Sequence, residues 1–104
     1  MPVGFDNRHY TMKYRSRTQI ITDILRVVND SSTVGGGIKK TKIMYTALLS
    51  YEQIKQYLSL LTESDLLQYD KTTHTFNITQ KGIRFLGIRD QIDQAIIING
   101  SEAK

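Results

Sequence analysis

The chain has 104 residues, 39% of them hydrophobic, with 14 Lys and Arg against 10 Asp and Glu and no cysteine. That length supports one domain with a single modest core. The missing thiols exclude disulfides and thiolate metal sites, no run approaches the roughly 18 continuous apolar residues of a membrane span, and the N-terminus lacks the apolar core of a signal peptide. A soluble, cytoplasmic protein is the expectation. The charge is uneven: residues 1–60 hold nine Lys and Arg against four Asp and Glu, a net of +5, and residues 61–104 hold five against six, a net of −1, which together give +4. A basic surplus in one part of a chain with a pI near 9.4 is compatible with a polyanionic partner.

In chain order, Met1 to Arg15 carries Pro2, Gly4, Asp6 and Asn7 without a sustained period and reads as an irregular arm, residues 1–15. From Ser16 to Asn29, Ile20, Ile21, Ile24, Leu25, Val27 and Val28 fill one broad arc, and Thr18, Gln19, Thr22, Asp23 and Arg26 fill the rest. This predicts an amphipathic helix that stops at Asp30-Ser31-Ser32. Gly35-Gly36-Gly37 then marks a loop that needs glycine's backbone freedom. It is not a nucleotide phosphate loop, because the Gly-Lys-Ser/Thr triplet is absent and no strand precedes it.

Lys39 to Leu61 reads as two short helices joined by a tight turn at Leu49-Ser50, the sequence shape of a helix-turn-helix. Ser50 followed three residues later by Gln53 is a capping box, so the second helix starts at Tyr51 and ends near Thr62. At about 100° per residue, Tyr51, Ile54, Tyr57, Leu58 and Leu61 gather on one side. Glu52, Gln56, Ser59 and Glu63 lie opposite, with Gln53 and Lys55 flanking. The apolar side must face a core. The polar side carries groups that can read base edges, although any solvated helix face has a similar composition.

The period then changes. Leu66 to Asp70 and Thr75 to Ile78 are short runs rich in aromatic and β-branched residues, separated by Lys71-Thr72-Thr73-His74, and they predict a hairpin. Asp65, between helix and strand, falls where a left-handed residue is expected. Thr79 is the N-cap of a last helix. In that helix Ile83 and Leu86 are expected to pack inward, whereas Phe85, Ile88, Ile92, Ala95 and Ile96 form a second stripe that approximates a coiled-coil seam and predicts a two-fold dimer, the alternative being that one subunit buries both faces.

Helix, helix-turn-helix, hairpin and helix in that order give a mainly α fold with a small β-hairpin, the winged helix-turn-helix arrangement with an added C-terminal helix. The expected organisation is a winged domain over residues 16–82, a dimerisation helix over 83–98 and a tail over 99–104. Arg15-Ser16-Arg17, Lys40-Thr41-Lys42-Ile43-Met44-Tyr45, Leu49-Ser50-Tyr51 and Thr79-Gln80-Lys81-Gly82 occur at compatible spacing. Through them the chain resembles, over about residues 13–95, the small archaeal winged-helix DNA-binding proteins. The resemblance implies a dimeric DNA-binding protein acting in transcriptional regulation. Asp65 stands where such proteins often place glycine, and the C-terminal helix is shorter than in relatives that dimerise through a long antiparallel coiled coil.

On this reading the helix after Ser50 enters the major groove of double-stranded DNA, with Tyr51, Gln53, Lys55, Gln56 and Ser59 as base contacts. Arg15, Arg17, Lys39, Lys40 and Lys42 are the phosphate contacts, and Lys71, Thr72, Thr73 and His74 form the wing tip. No cofactor or metal is expected: His9 and His74 have no cysteine or carboxylate cluster at ligand spacing, and Asp90 and Asp93 fit a solvated helix better than acid/base chemistry. No effector pattern is visible. The competing expectation is a winged helix that docks within a regulatory assembly without gripping DNA, since fold alone does not decide function.

Overall fold

A computed structural model describes residues 15–32 and 36–103, with side chains described over 15–31 and 36–96. The arm from Met1 to Tyr14, with His9, and Gly35 of the glycine loop lie outside the described residues. In chain order the elements are α1 (Arg17–Ser32), α2 (Lys40–Thr46), α3 (Tyr51–Glu63), β1 (Leu67–Asp70), β2 (Thr75–Ile78) and α4 (Gln80–Ala103). This is a winged helix-turn-helix domain followed by a long C-terminal helix.

Helix α1 starts where the Ser16 hydroxyl accepts the Gln19 N–H at 3.0 Å, satisfying one of the unpaired donors of the first turn. Ile24, Leu25 and Val28 of α1 are buried with Ile43 of α2, with Ile54, Leu58 and Leu61 of α3, and with Leu67 and Phe76 of the hairpin. Burial of this one apolar cluster is the main favourable term holding the elements together. Thr22 was expected on the polar arc and is instead buried. Its hydroxyl donates to the Thr18 carbonyl at 2.7 Å, so the buried oxygen is not left unpaired.

The turn between α2 and α3 is longer than Leu49-Ser50. α2 ends at Thr46, and Leu48 takes a left-handed conformation at φ 59° before Leu49 returns to the core. Ser50 then caps α3 as its sequence requires, and both arms of the capping box are present. Asp65 is left-handed at φ 64° where α3 gives way to β1.

β1 and β2 pair antiparallel with Leu67 opposite Ile78 and Tyr69 opposite Phe76. Ile38 adds an antiparallel bridge to Phe76, so the segment before α2 lies along the hairpin's second strand. Gly36 uses a positive φ of 85° to reach that position. Gly37 serves closeness instead, since a Cβ there would stand 2.7 Å from the Phe76 carbonyl oxygen.

Thr79 caps α4, accepting the Gly82 N–H at 3.0 Å and donating to the Asp65 carbonyl at 2.7 Å. The cap sits directly after β2, so the helix starts at Gln80 as the Thr79 cap predicted, and it runs 24 residues to Ala103, a longer element than the 83–98 segment assigned to dimerisation. Gly82 sets its inward side: a Cβ there would stand 2.4 Å from the Leu66 carbonyl oxygen and 2.6 Å from Ile78 Cγ1. One turn on, Leu86 is buried, whereas Ile83 is 46% exposed and does not pack inward as expected. The reason is angular, because Ile83 lies about 100° around the helix from Gly82. Phe85 is half-buried against the core and so is only partly available to an outward stripe.

Polar links fasten α4 to α1. Arg26 donates to Asp90 at 2.6 Å and Arg89 donates to Gln19 at 3.2 Å, while Asp93, one turn on within α4, accepts from Arg89 at 3.2 Å. The hydrogen bond to Asp90 raises the Arg26 pKa above its ordinary value, outweighing the opposing effect of partial burial.

Candidate nucleic-acid interface

Helix α3 divides sharply. Ile54, Leu58 and Leu61 are buried, and Glu52, Gln53, Lys55, Gln56 and Ser59 lie on the outward side, so the expected base-reading positions share one face. Tyr51, read both on the apolar side of the helix and among the base contacts, does not join the core: it is 54% exposed, with the Lys40 ammonium 5.0 Å from its ring centroid. As the first residue of the helix it projects past the edge of the core, where a cation can stack on the ring face.

Gln53 carries two assignments that compete. Its Oε1 accepts the Ser50 N–H at 3.1 Å while its own N–H donates to the Ser50 hydroxyl at 3.1 Å. A bidentate pairing with adenine needs both the carbonyl and the amino group of the amide. The cap therefore leaves Gln53 one half of that capacity, and Gln56 is the outward amide on α3 with no such commitment.

Lys40 and Lys55 meet along one edge of this face with Ser59. Lys39 and Lys42 are exposed, and Lys40 is half-buried at the start of α2 against Tyr51. Arg17 is exposed at the start of α1 and lines a depression with Gln56 and Tyr57, which places it beside α3. Arg15 is different. Its guanidinium donates to Asp23 at 2.8 Å and to the Leu48 carbonyl at 3.0 Å. The expected phosphate contact is thus engaged inside the fold, bracing the turn that positions α3.

The wing tip is exposed from Lys71 to His74. The Asp70 carboxylate accepts the Thr72 N–H at 2.8 Å, the Asp70 carbonyl accepts the His74 N–H at 2.8 Å, and His74 is left-handed at φ 58°. Asp70 and His74 thereby close the turn without a glycine, the local hydrogen bonds offsetting the strained backbone. The Tyr69 hydroxyl and His74 Nδ1 are 2.9 Å apart, which ties the imidazole back toward β1.

Between α3 and the wing runs a cleft of about 440 Å³ that the sequence did not disclose. Lys40 and Lys55 flank it, and Leu58, Tyr69 and Phe76 line it. The aromatic and β-branched runs predicted the hairpin, but its distance from α3 is set by tertiary packing. Among the described residues there is no group of three His, Cys, Asp or Glu suited to a metal ion, and no helix is long and apolar enough to cross a membrane.

The chain belongs to the winged helix-turn-helix family, whose model matches residues 14–96. Over 68 residues, 65% of this chain, it is 32% identical to an uncharacterized protein of Methanocaldococcus jannaschii, and the matched stretch spans 29% of that relative's length. Its fold is similar to that of Sso10a-2, a DNA-binding protein from Sulfolobus solfataricus, with a TM-score of 0.64 at 22% identity over 86% of this chain and 90% of that one.

Proposed function

We propose that the protein binds double-stranded DNA as a homodimer, with specificity or partial specificity for sequence, and acts in transcriptional regulation. The observation that carries this reading is the outward face of α3, where Lys55, Gln56 and Ser59 stand with Lys40 and Arg17 beside them, and Lys39 and Lys42 are exposed at the start of α2. In the proposed complex α3 lies in the major groove, the lysines and Arg17 neutralise phosphates, and the wing tip from Lys71 to His74 reaches the neighbouring backbone or minor groove. The family and the likeness to a DNA-binding protein support the same reading.

The homodimer rests on α4. Ile88, Ile92 and Ile96 are 58%, 52% and 62% exposed, and Ala95 is exposed on the same side. Leaving this stripe in water forgoes about 25 cal/mol per Å² of apolar surface, which pairing with a second α4 recovers. A two-fold dimer sets its recognition helices about 34–36 Å apart, or a multiple of that, to match successive turns of DNA.

The second reading, a protein-docking module, draws on Tyr45 and Leu48, which are 72% and 60% exposed close to the helix-turn-helix turn. Fluorescence anisotropy with promoter and random duplexes across a salt series separates the two. DNA binding gives a log K that falls linearly with log salt, by about 0.9 per phosphate neutralised. Absence of binding to either duplex at low salt would overturn the DNA reading in favour of the docking module.

A further inference from the structure

We propose that the cleft between α3 and the wing is a binding site for a small aromatic carboxylate, and that its occupation competes with DNA. The site itself stands on the cleft's geometry, and only the competition rests on the DNA-binding reading above.

The cleft has two chemistries. Its floor is apolar, made by Leu58 and Phe76 from the core and by the ring of Tyr69, whose centroid is 4.8 Å from that of Phe76. Its rim is cationic and polar: Lys40 from the start of α2, Lys55 and Ser59 from α3, and His74 from the wing tip, while no Asp or Glu lines it. A volume of about 440 Å³ falls within the range in which proteins hold small organic molecules.

This combination selects among occupants. A backbone phosphate would satisfy the ammonium groups but leave the aromatic floor against water, and a neutral hydrocarbon would leave the cations without a counter-charge. A planar ring carrying one carboxylate satisfies both, with the ring against Tyr69 and Phe76 and the carboxylate at Lys40 and Lys55, as charge-assisted hydrogen bonding requires. The hydrogen bond between the Tyr69 hydroxyl and His74 Nδ1 holds the cleft's wing side in place without a ligand. Lys55 and Ser59 also lie on the outward face of α3, so a carboxylate seated at Lys55 would occupy a position that DNA needs.

The test uses the full chain and naphthoate as the probe. Ligand-observed saturation-transfer NMR without DNA should show binding at millimolar concentration or below. Lys55→Gln and Ser59→Trp, at exposed positions and checked for folding by circular dichroism, should each weaken it by about tenfold, through removal of a charge-assisted hydrogen bond or blockage of the cleft. In a second arm, naphthoate should release a fluorescent duplex from the wild-type protein while acetate at equal ionic strength does not, which removes simple salt screening as the cause. No transfer to naphthoate, or equal transfer in wild type and both folded variants, would overturn the site. Binding in the cleft with no displacement of a bound duplex would overturn the competition. A protein that never binds the duplex would defeat the DNA reading, while the direct-binding arm would still decide the site.

Discussion

The Arg15 guanidinium stands 2.8 Å from the Asp23 carboxylate and, through its other terminal nitrogen, 3.0 Å from the Leu48 carbonyl. One side chain therefore joins the start of α1, the middle of the same helix and the left-handed turn ahead of α3. Replacing Arg15 by Ala should cost about 1–3 kcal/mol, because Asp23 would lose a partner while three-quarters shielded from water. Urea denaturation measures this. The salt slope of DNA binding should stay unchanged in the same variant, whereas a phosphate-binding role for Arg15 would flatten it.

Gln53 and Gln56 should separate by experiment. Gln53→Ala removes one arm of the capping box and should lower stability by about 1 kcal/mol with little change in sequence preference. Gln56→Ala should leave stability within about 0.5 kcal/mol and reduce discrimination between duplexes by about 1–3 kcal/mol at one position. Thermal melts and competition binding on both variants check the pair.

If Lys39, Lys40 and Lys42 neutralise phosphates as proposed, their removal should weaken binding to every duplex alike. Each lysine replaced by Ala should reduce the salt slope by about 0.9 for each phosphate that is no longer neutralised. Lys40 should show an added effect on Tyr51, because its ammonium sits over that ring. Affinity unchanged across all three substitutions would remove these lysines from the interface.

Two glycines in α4 give an internal control. Gly82→Ala forces a Cβ toward the Leu66 carbonyl and Ile78, both part of the wing's packing, and should destabilise by about 1–3 kcal/mol. Gly87→Ala meets nothing within 4 Å and should stabilise the helix by about 0.5–1 kcal/mol. Calorimetry on the two variants reads opposite shifts in Tm.

Ile92 is at the middle of the exposed α4 stripe. Ile92→Asp should convert a dimer to a monomer in sedimentation equilibrium without lowering helix content, since the residue is half-exposed in the single chain. A wild-type protein that sediments as a monomer at high micromolar concentration would refute the dimer directly.

Much of the fold was legible because it depends on local rules. Ser50 and Gln53 face each other across one helical turn, so their spacing alone specifies the cap, and the left-handed Asp65 and the Thr79 cap follow from equally short-range chemistry. The apolar period of α1 and α3 identified Ile24, Leu25, Ile54, Leu58 and Leu61 as core residues, all of which are buried. These readings need only the backbone's periodicity, which a linear sequence displays.

What the sequence could not supply was the partner of each polar group. Arg15 looked like a free cation until folding brought Leu48, 33 residues away, within hydrogen-bonding reach. Ile83 was expected inward and Phe85 on the outer stripe, and the structure turns Ile83 outward and half-buries Phe85, because the approach of Gly82 to Leu66 fixes the rotation of α4. The cleft between α3 and the wing likewise exists only as a distance between two elements. By itself, then, the sequence determined the order, caps and apolar faces of the elements, because these arise from neighbours along the chain. Tertiary structure decided which charges remain outward and where the helices turn their faces, because those depend on groups that meet only when the core closes.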